Sequence, residues 1–209
     1  MALVLAQRQD KSKKAVDECA HEILPKVWLG TCEARALRCS TSGGQQTLLF
    51  PNVVEIVSDE TEARLYREQA GVSTSDDVMN VTSITLVDDR KSLLFDAAQC
   101  LTQLLNTKKK CDEKSSTEAL LLHCRMGTSR SVALLLWYLV ETEKWTLKKA
   151  FEHICACRGS KNASLQTRPN VGFAQQLLRL EREVHKSEQN SISLSALLTE
   201  GLCSNNNKL

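Results

Sequence analysis

The sequence predicts an α/β fold, a central, mostly parallel sheet of four to five strands flanked by helices, and three observations carry that prediction. Through residue 124, short runs of branched and leucine side chains bounded by turn formers alternate with longer stretches of helical periodicity. Beyond that point only helical patterns remain. The chain also has ordinary single-domain size, 209 residues of which 42% are hydrophobic and 25% charged. Strands separated by helices imply right-handed crossovers, hence parallel neighbours covered on both faces.

In chain order, "VWLG" at 27–30 and "NVVEIVS" at 52–58 read as strands. A helix comes next at 59–71, acidic at its start and closed by Gly71. "VTSITLV" at 81–87 is the third strand, and 92–110 is a helix whose Leu94, Ala97, Leu101, Leu104 and Leu105 form one apolar stripe. "EALLLHC" at 118–124 is the fourth strand. "SVALLLWYLVETEK" is apolar nearly all round and should be the buried central helix. Two more helices are expected, one capped by Thr146 and one opening after Pro169 with Asn170 as cap. Polar segments at 38–47, 108–117 and 159–167 read as surface loops. Three parts result: an N-terminal extension at 1–19, one folded domain at 20–186, and a flexible C-terminal tail at 187–209 whose "LSALL" could dock on a partner.

Composition narrows the function classes. A formal net charge of +2 argues against a nucleic-acid or membrane surface, so an anion site has to be local. Nine cysteines form an odd count without paired Cys-x-x-Cys spacing, no secretory leader precedes them, and no apolar run approaches membrane-spanning length. A reducing cytoplasmic or nuclear compartment is expected, with Cys155 and Cys157 as free helical thiols rather than a metal or redox pair. No metal and no cofactor is expected.

The chemistry concentrates at 123–131, "HCRMGTSRS". A strand ending at Cys124, a turn through Gly127 and a helix starting near Arg130 aim backbone N–H groups and a positive helix end at one point, an anion cradle. Arg130 can bind two oxygens of a tetrahedral oxyanion with its planar guanidinium, which a lysine cannot do. A free cysteine thiol titrates near ~8.5 and falls to roughly 3.5–7.5 in such fields. Three pH units correspond to about 4 kcal/mol, whereas a helix end supplies about 0.3–2, so the loop amides and Arg130 must share the work. A nucleophile beside a phosphate-sized pocket is what attack on phosphorus requires.

These residues resemble the His-Cys-x5-Arg-Ser/Thr signature of the cysteine-based protein tyrosine phosphatases, in its dual-specificity form. "EILPKVWLGTCEAR" is similar to that family's opening strand segment and "RPNVGFAQQLLRLE" to its closing helix motif, so residues of about 20 to 185 are covered. The resemblance implies a protein tyrosine phosphatase-like fold and a metal-independent phosphoprotein phosphatase. Cys124 becomes the nucleophile, Arg130 the phosphate clamp, and Ser131 the hydroxyl that helps the thiolate leave the phosphoenzyme. His123 orients the loop and helps keep the thiol ionised. Thr128 and Ser129 serve the hydrogen bonding of the loop, in which Gly127 makes the turn. Asn170 braces neighbouring backbone.

The leaving oxygen needs a proton from a carboxylic acid at the same sheet edge. Asp88 fits the family pattern Ile-x-x-x-Asp as Ile84 to Asp88, with Asp89 as the alternative. At least one of the two is expected to cap the turn before Ser92. The span from Asp88 to the helix at 92–110 is shorter than the family's usual acid loop. Met126 would add an apolar wall beside the substrate. Arg125 would either favour acidic sequences or pair with the protein surface. Without the phosphotyrosine-gripping motif of the larger tyrosine phosphatases, the pocket should be shallow enough for phosphotyrosine, phosphoserine and phosphothreonine. The expected partner is a phosphorylated protein substrate. The alternatives are a phosphoinositide or RNA 5′-phosphate phosphatase on the same loop, and a low-activity phosphoprotein-binding module.

Overall fold

The computed structural model describes residues 16, 18–40, 46–69, 80–112, 119–159 and 166–199. Seven strands are present among them: β1 (Ala20–Leu24), β2 (Val27–Gly30), β3 (Arg38–Ser40), β4 (Gln46–Leu48), β5 (Asn52–Val57), β6 (Asn80–Thr85) and β7 (Leu120–His123). The helices are α1 (Glu60–Gln69), α2 (Phe95–Asp112), α3 (Arg130–Glu141), α4 (Leu147–Arg158), α5 (Val171–His185) and α6 (Leu194–Thr199), with a 3-10 helix at Cys32–Ala36. Five strands form one sheet in the order β1-β2-β7-β5-β6, parallel throughout except for β1. The expected α/β class and mostly parallel sheet are therefore observed.

β7 is central because all four of its residues are buried, as a strand covered on both faces requires. Alternation along the strands sorts the two faces. Leu120, Leu122, Val54 and Ile56 join one large core with Leu101 of α2, Leu135 of α3, Ile154 of α4 and Leu177 of α5. Leu121 and Val53 pack with Phe50 and Ala34 on the other face, while Val57 packs there with Cys32 and Tyr66. Every residue of α3 from Arg130 to Val140 is buried, as its all-round apolar pattern predicts. Gly30 and Glu55 both lie in register with His123, so β2, β5 and β7 reach the same edge of the sheet. Thr31, Ser58 and Cys124, each the residue immediately after one of these strands, therefore emerge at that one edge.

Several sequence expectations change. "AHEIL" supplies the fifth strand, β1. The expected loop at 38–47 contains the paired strands β3 and β4, and the expected loop at 108–117 begins as the end of α2; residues 41–45 and 113–117 lie outside the described ones. The helix expected from 92 starts at Phe95, because Asp89 Oδ1 accepts from the N–H groups of Lys91 and Ser92 and holds them in a turn. The helix expected at 59–71 is described only to Gln69, and 160–165 of the third expected loop is also outside.

The expected flexible tail is folded over 187–199. Glu181, 2% exposed, accepts from Leu147 N, Ser191 N and Ser191 Oγ, which ties the start of α4 and the approach to α6 onto α5. Leu197 is then fully buried in the main core. Periodicity missed this helix because six residues show less than two turns. The extension at 1–15 and residues 200–209 lie outside the described residues.

Candidate active site

Between β7 and α3 the chain makes a loop whose carbonyls are held by partners elsewhere in the molecule. Cys124 O accepts from His123 Nδ1 at 3.3 Å, Arg125 O from Cys32 N at 3.2 Å, Gly127 O from Arg158 Nη2 at 2.6 Å, and Thr128 O from Arg168 N at 2.9 Å. A trans peptide points its N–H opposite to its C=O, so the N–H groups of residues 125, 126, 128 and 129 face the other side of the loop. Gly127 turns through φ +64°, and a Cβ there would sit 2.4 Å from Gly30 O. Only glycine allows both the left-handed turn and the approach to β2. The loop carbonyls are thus fixed by partners outside it, which leaves those N–H groups on its other side.

Cys124 is 3% exposed, and its Sγ lies 3.3 Å from Ser131 Oγ, the position expected for a hydroxyl that assists the thiolate. Arg130, 5% exposed, donates from Nη1 to Glu62 Oε2 at 2.6 Å and from Nη2 to Glu62 Oε1 at 2.7 Å. Ser58 Oγ and Tyr66 Oη accept from the same two nitrogens at 3.2 and 3.3 Å. Arg130 Nε, buried, has no partner among the described residues. Burial would raise the Glu62 carboxyl, but hydrogen bonds from Arg130, Tyr66 and Ser58 N hold it at about 2. Burial alone would lower Arg130; the Glu62 carboxylate, with Cys124 and Tyr66 adding to it, holds it above the usual arginine range. The guanidinium is charged and fixed end-on, with Nε–H left for an oxyanion.

His123 departs from its expected part. It is fully buried against the ring of Tyr66, 5.5 Å between centroids. Burial, with Arg35 and Arg130 adding to it, pushes its pKa down to about 3. The imidazole is neutral, so it orients the loop through Cys124 O but places no positive charge beside the Cys124 sulfur. The cations near the sulfur are Arg130 and Arg158, the latter 4% exposed and pushed down to about 10 by burial against the pull of Cys124. Beneath the loop, Arg35 Nη1 donates to Glu55 Oε2 at 2.6 Å, and both side chains are buried. Ser83 Oγ adds a 2.6 Å bond to the same carboxylate. This pair seats the 3-10 helix, and with it Cys32, on β5. Cys32 itself is pushed up to about 11 by burial and Glu33, so it remains a thiol.

The two aspartates separate. Asp88 Oδ1 accepts from Ser129 Oγ at 2.9 Å and from Asn170 Nδ2 at 2.6 Å, which joins the acid loop, the cysteine loop and the start of α5. Asp89 is the turn cap, and the Ser92 and Lys91 amides on its carboxylate lower its pKa. Ser129 Oγ thus links Asp88 to the start of α5, since Asn170 N donates to it at 3.2 Å. Asn170 Nδ2 also reaches Asp89 O, while its Oδ1 caps α5 by accepting from Phe173 N. Gln176 fastens the far end of the acid loop, donating to Ser92 O and accepting from Leu94 N, each at 2.9 Å. A Cβ at Gly172 would lie 2.4 Å from Arg90 O, so this loop rests directly on α5.

At the mouth, Met126 is 55% exposed, as an apolar wall would be. Arg125 pairs with no carboxylate among the described residues, so the expected surface ion pair is absent there. Sequence reasoning missed Glu62, Tyr66, Ser58 and Arg158. The acidic opening of α1 gave a helix signal, but nothing local marked one of its carboxylates as the partner of Arg130, 68 residues away. Among the described residues the cysteines are free thiols, no group of three His, Cys, Asp or Glu could hold a metal, and no helix is long and apolar enough to cross a membrane.

Residues 53–183, more than half of the chain, match the dual specificity phosphatase catalytic domain. Human dual specificity protein phosphatase 5 is 39% identical over 70 residues, 34% of this chain and 17% of that protein. Dual specificity protein phosphatase 1 of Arabidopsis thaliana is 33% identical over 78 residues, 37% of this chain and 36% of that one. The chain thus spans well under half the length of these relatives. The human tyrosine phosphatase-like serine/threonine/tyrosine-interacting protein shares the fold with a TM-score of 0.58 at 18% identity, over 80% of this chain and 98% of that one. Human DUSP28 does so with 0.54 at 17% identity, over 79% and 95%. The chain belongs to the dual specificity phosphatases, enzymes of the protein tyrosine phosphatase superfamily.

Proposed function

We propose that this chain hydrolyses phosphotyrosine and phosphoserine or phosphothreonine in proteins through a cysteinyl-phosphate intermediate. The observation that carries the proposal is Arg130, buried beside the nucleophile loop with both terminal nitrogens bonded to Glu62 and its Nε–H unpartnered. Such an arginine binds the phosphoryl group side-on without losing its orientation. The Cys124 thiolate attacks phosphorus and forms an S–P bond as the bond to the substrate oxygen breaks. Asp88 gives its proton to that departing oxygen. Water then attacks the phosphorus, Asp88 takes a proton from it, and the S–P bond breaks to return the thiolate, which the Ser131 hydroxyl stabilises. The products are the free hydroxyl of the substrate and inorganic phosphate, and the loop amides with Arg130 stabilise both transition states.

The test is Cys124→Ser. Turnover of phosphopeptides should vanish while their binding persists, vanadate should compete with substrate in the wild type, and chelators should leave the rate unchanged. Turnover persisting in Cys124→Ser removes the nucleophile assignment.

A further inference from the structure

Beside the acid loop lies a cleft of about 550 Å³, of a size that holds a small ligand or a pair of side chains. Asp88 lines it, Arg90 and Arg168 supply charge, and Pro169, Val171 and Leu198 supply apolar wall. Asp88 and Arg90 belong to the acid loop and Arg168, Pro169 and Val171 to the start of α5 or its approach, but Leu198 comes from α6. The match to the phosphatase domain ends at residue 183, so α6 lies outside the matched stretch. Its placement is built in, since Leu197 is fully buried and Ser191 is tied to the buried Glu181.

Two carboxylates, Asp88 and Asp89, and two guanidiniums, Arg90 and Arg168, line the cleft, and no ion pair joins them among the described residues. The Asp89 carboxylate is spent on two backbone amides, and Asp88 Oδ1 on Ser129 and Asn170. Neither Arg90 nor Arg168 pairs with a carboxylate among the described residues. Because Asp88 and Ser129 line this cleft as well as the cysteine loop, whatever occupies it is adjacent to the scissile group.

We propose that α6, through Leu198, completes a substrate subsite that takes an acidic residue with an apolar neighbour next to the phosphorylated residue. The subsite rests on the phosphatase reading of Cys124 and Asp88. Substrate choice then depends on a helix outside the shared domain.

The experiment uses the full chain and three phosphotyrosine peptides of equal length, flanked by Glu-Leu, Lys-Leu or Gly-Gly, with an aryl phosphate as the substrate that has no flanks. The Glu-Leu peptide should exceed the Lys-Leu peptide in kcat/KM by about fivefold, the scale of one or two solvent-exposed ion pairs. Arg90→Glu should erase or invert that ratio. Leu198→Asp should lower kcat/KM for the Glu-Leu peptide about tenfold more than for the aryl phosphate, as loss of one buried apolar contact does. Equal rates on all three peptides, or a loss in Leu198→Asp that is the same with and without flanks, overturns the subsite. Should Leu198→Asp unseat α6, seen as a lowered Tm, the Arg90→Glu ratio decides by itself. A wild type inert even on the aryl phosphate refutes the phosphatase reading instead, and the rank order of peptide binding then decides the subsite.

Discussion

Glu62→Gln removes the counter-charge of Arg130 while keeping the size of the side chain. The carboxylate is 17% exposed and its partner 6%, so the pair is largely out of water. Its pKa is held at about 2 against 4.5, and at about 1.4 kcal/mol per pH unit the stabilisation is about 3 kcal/mol. That agrees with the roughly 3–5 kcal/mol lost when one partner of a buried pair is removed. In glutamine, the amide end also turns donors toward Arg130 and Ser58 N, which are donors themselves. For a domain of this size 1 kcal/mol moves Tm by about 2–4 °C, so a drop of about 6–12 °C is expected at pH 7. A carboxyl with a depressed folded pKa stabilises above its unfolded value and loses that stabilisation as pH falls toward the folded one. The gap between wild type and variant should therefore be complete above pH 4.5 and narrow toward pH 2. By pH 3.5 about 1.4 kcal/mol of it should be gone. Urea unfolding of both proteins at pH 7 and pH 3.5 measures this directly, and vanadate inhibition should weaken in the variant as Arg130 loses its orientation. A Tm within about 2 °C of wild type, with a pH-independent gap, refutes the claim that Glu62 holds the clamp.

Asp88→Asn should lose about a hundredfold or more in kcat at pH about 6 on a substrate with a poor leaving group, the usual worth of a general acid. Asp89→Asn should lose mainly turn stability; the reverse pattern would show that Asp89 supplies the proton. Gly127→Ala places a Cβ 2.4 Å from Gly30 O in a left-handed turn, so it should destabilise by more than the roughly 1–2 kcal/mol of the conformation alone and abolish turnover. Thermal unfolding and aryl phosphate hydrolysis check both effects. Arg158→Met strands Gly127 O and Gln166 O without their donor, at about 1–3 kcal/mol for each buried group left unsatisfied. Alkylation of Cys124 by iodoacetate should slow as that cation leaves, and an unchanged rate refutes the electrostatic part of its role.

The sequence by itself determined the parts whose information is local. Period and turn residues marked β2, β5, β6 and β7 and the five longer helices. One nine-residue stretch brought Cys124, Arg130 and Ser131 together, because a strand, a tight turn and a helix start are consecutive in the chain. Only the tertiary structure decided which distant groups complete them. Glu62 reaches Arg130 because β5 lies beside β7 and α1 comes directly after β5, an adjacency set by strand order rather than by spacing. Asp88 and Asp89 look alike in a string of residues; Ser129, Asn170 and two backbone amides tell them apart. Burial made His123 neutral and anchored 187–199, an expected flexible tail, through Leu197 of α6. The physical reason is common to all of these: desolvation and hydrogen bonding act through space, across separations that no window along the chain contains.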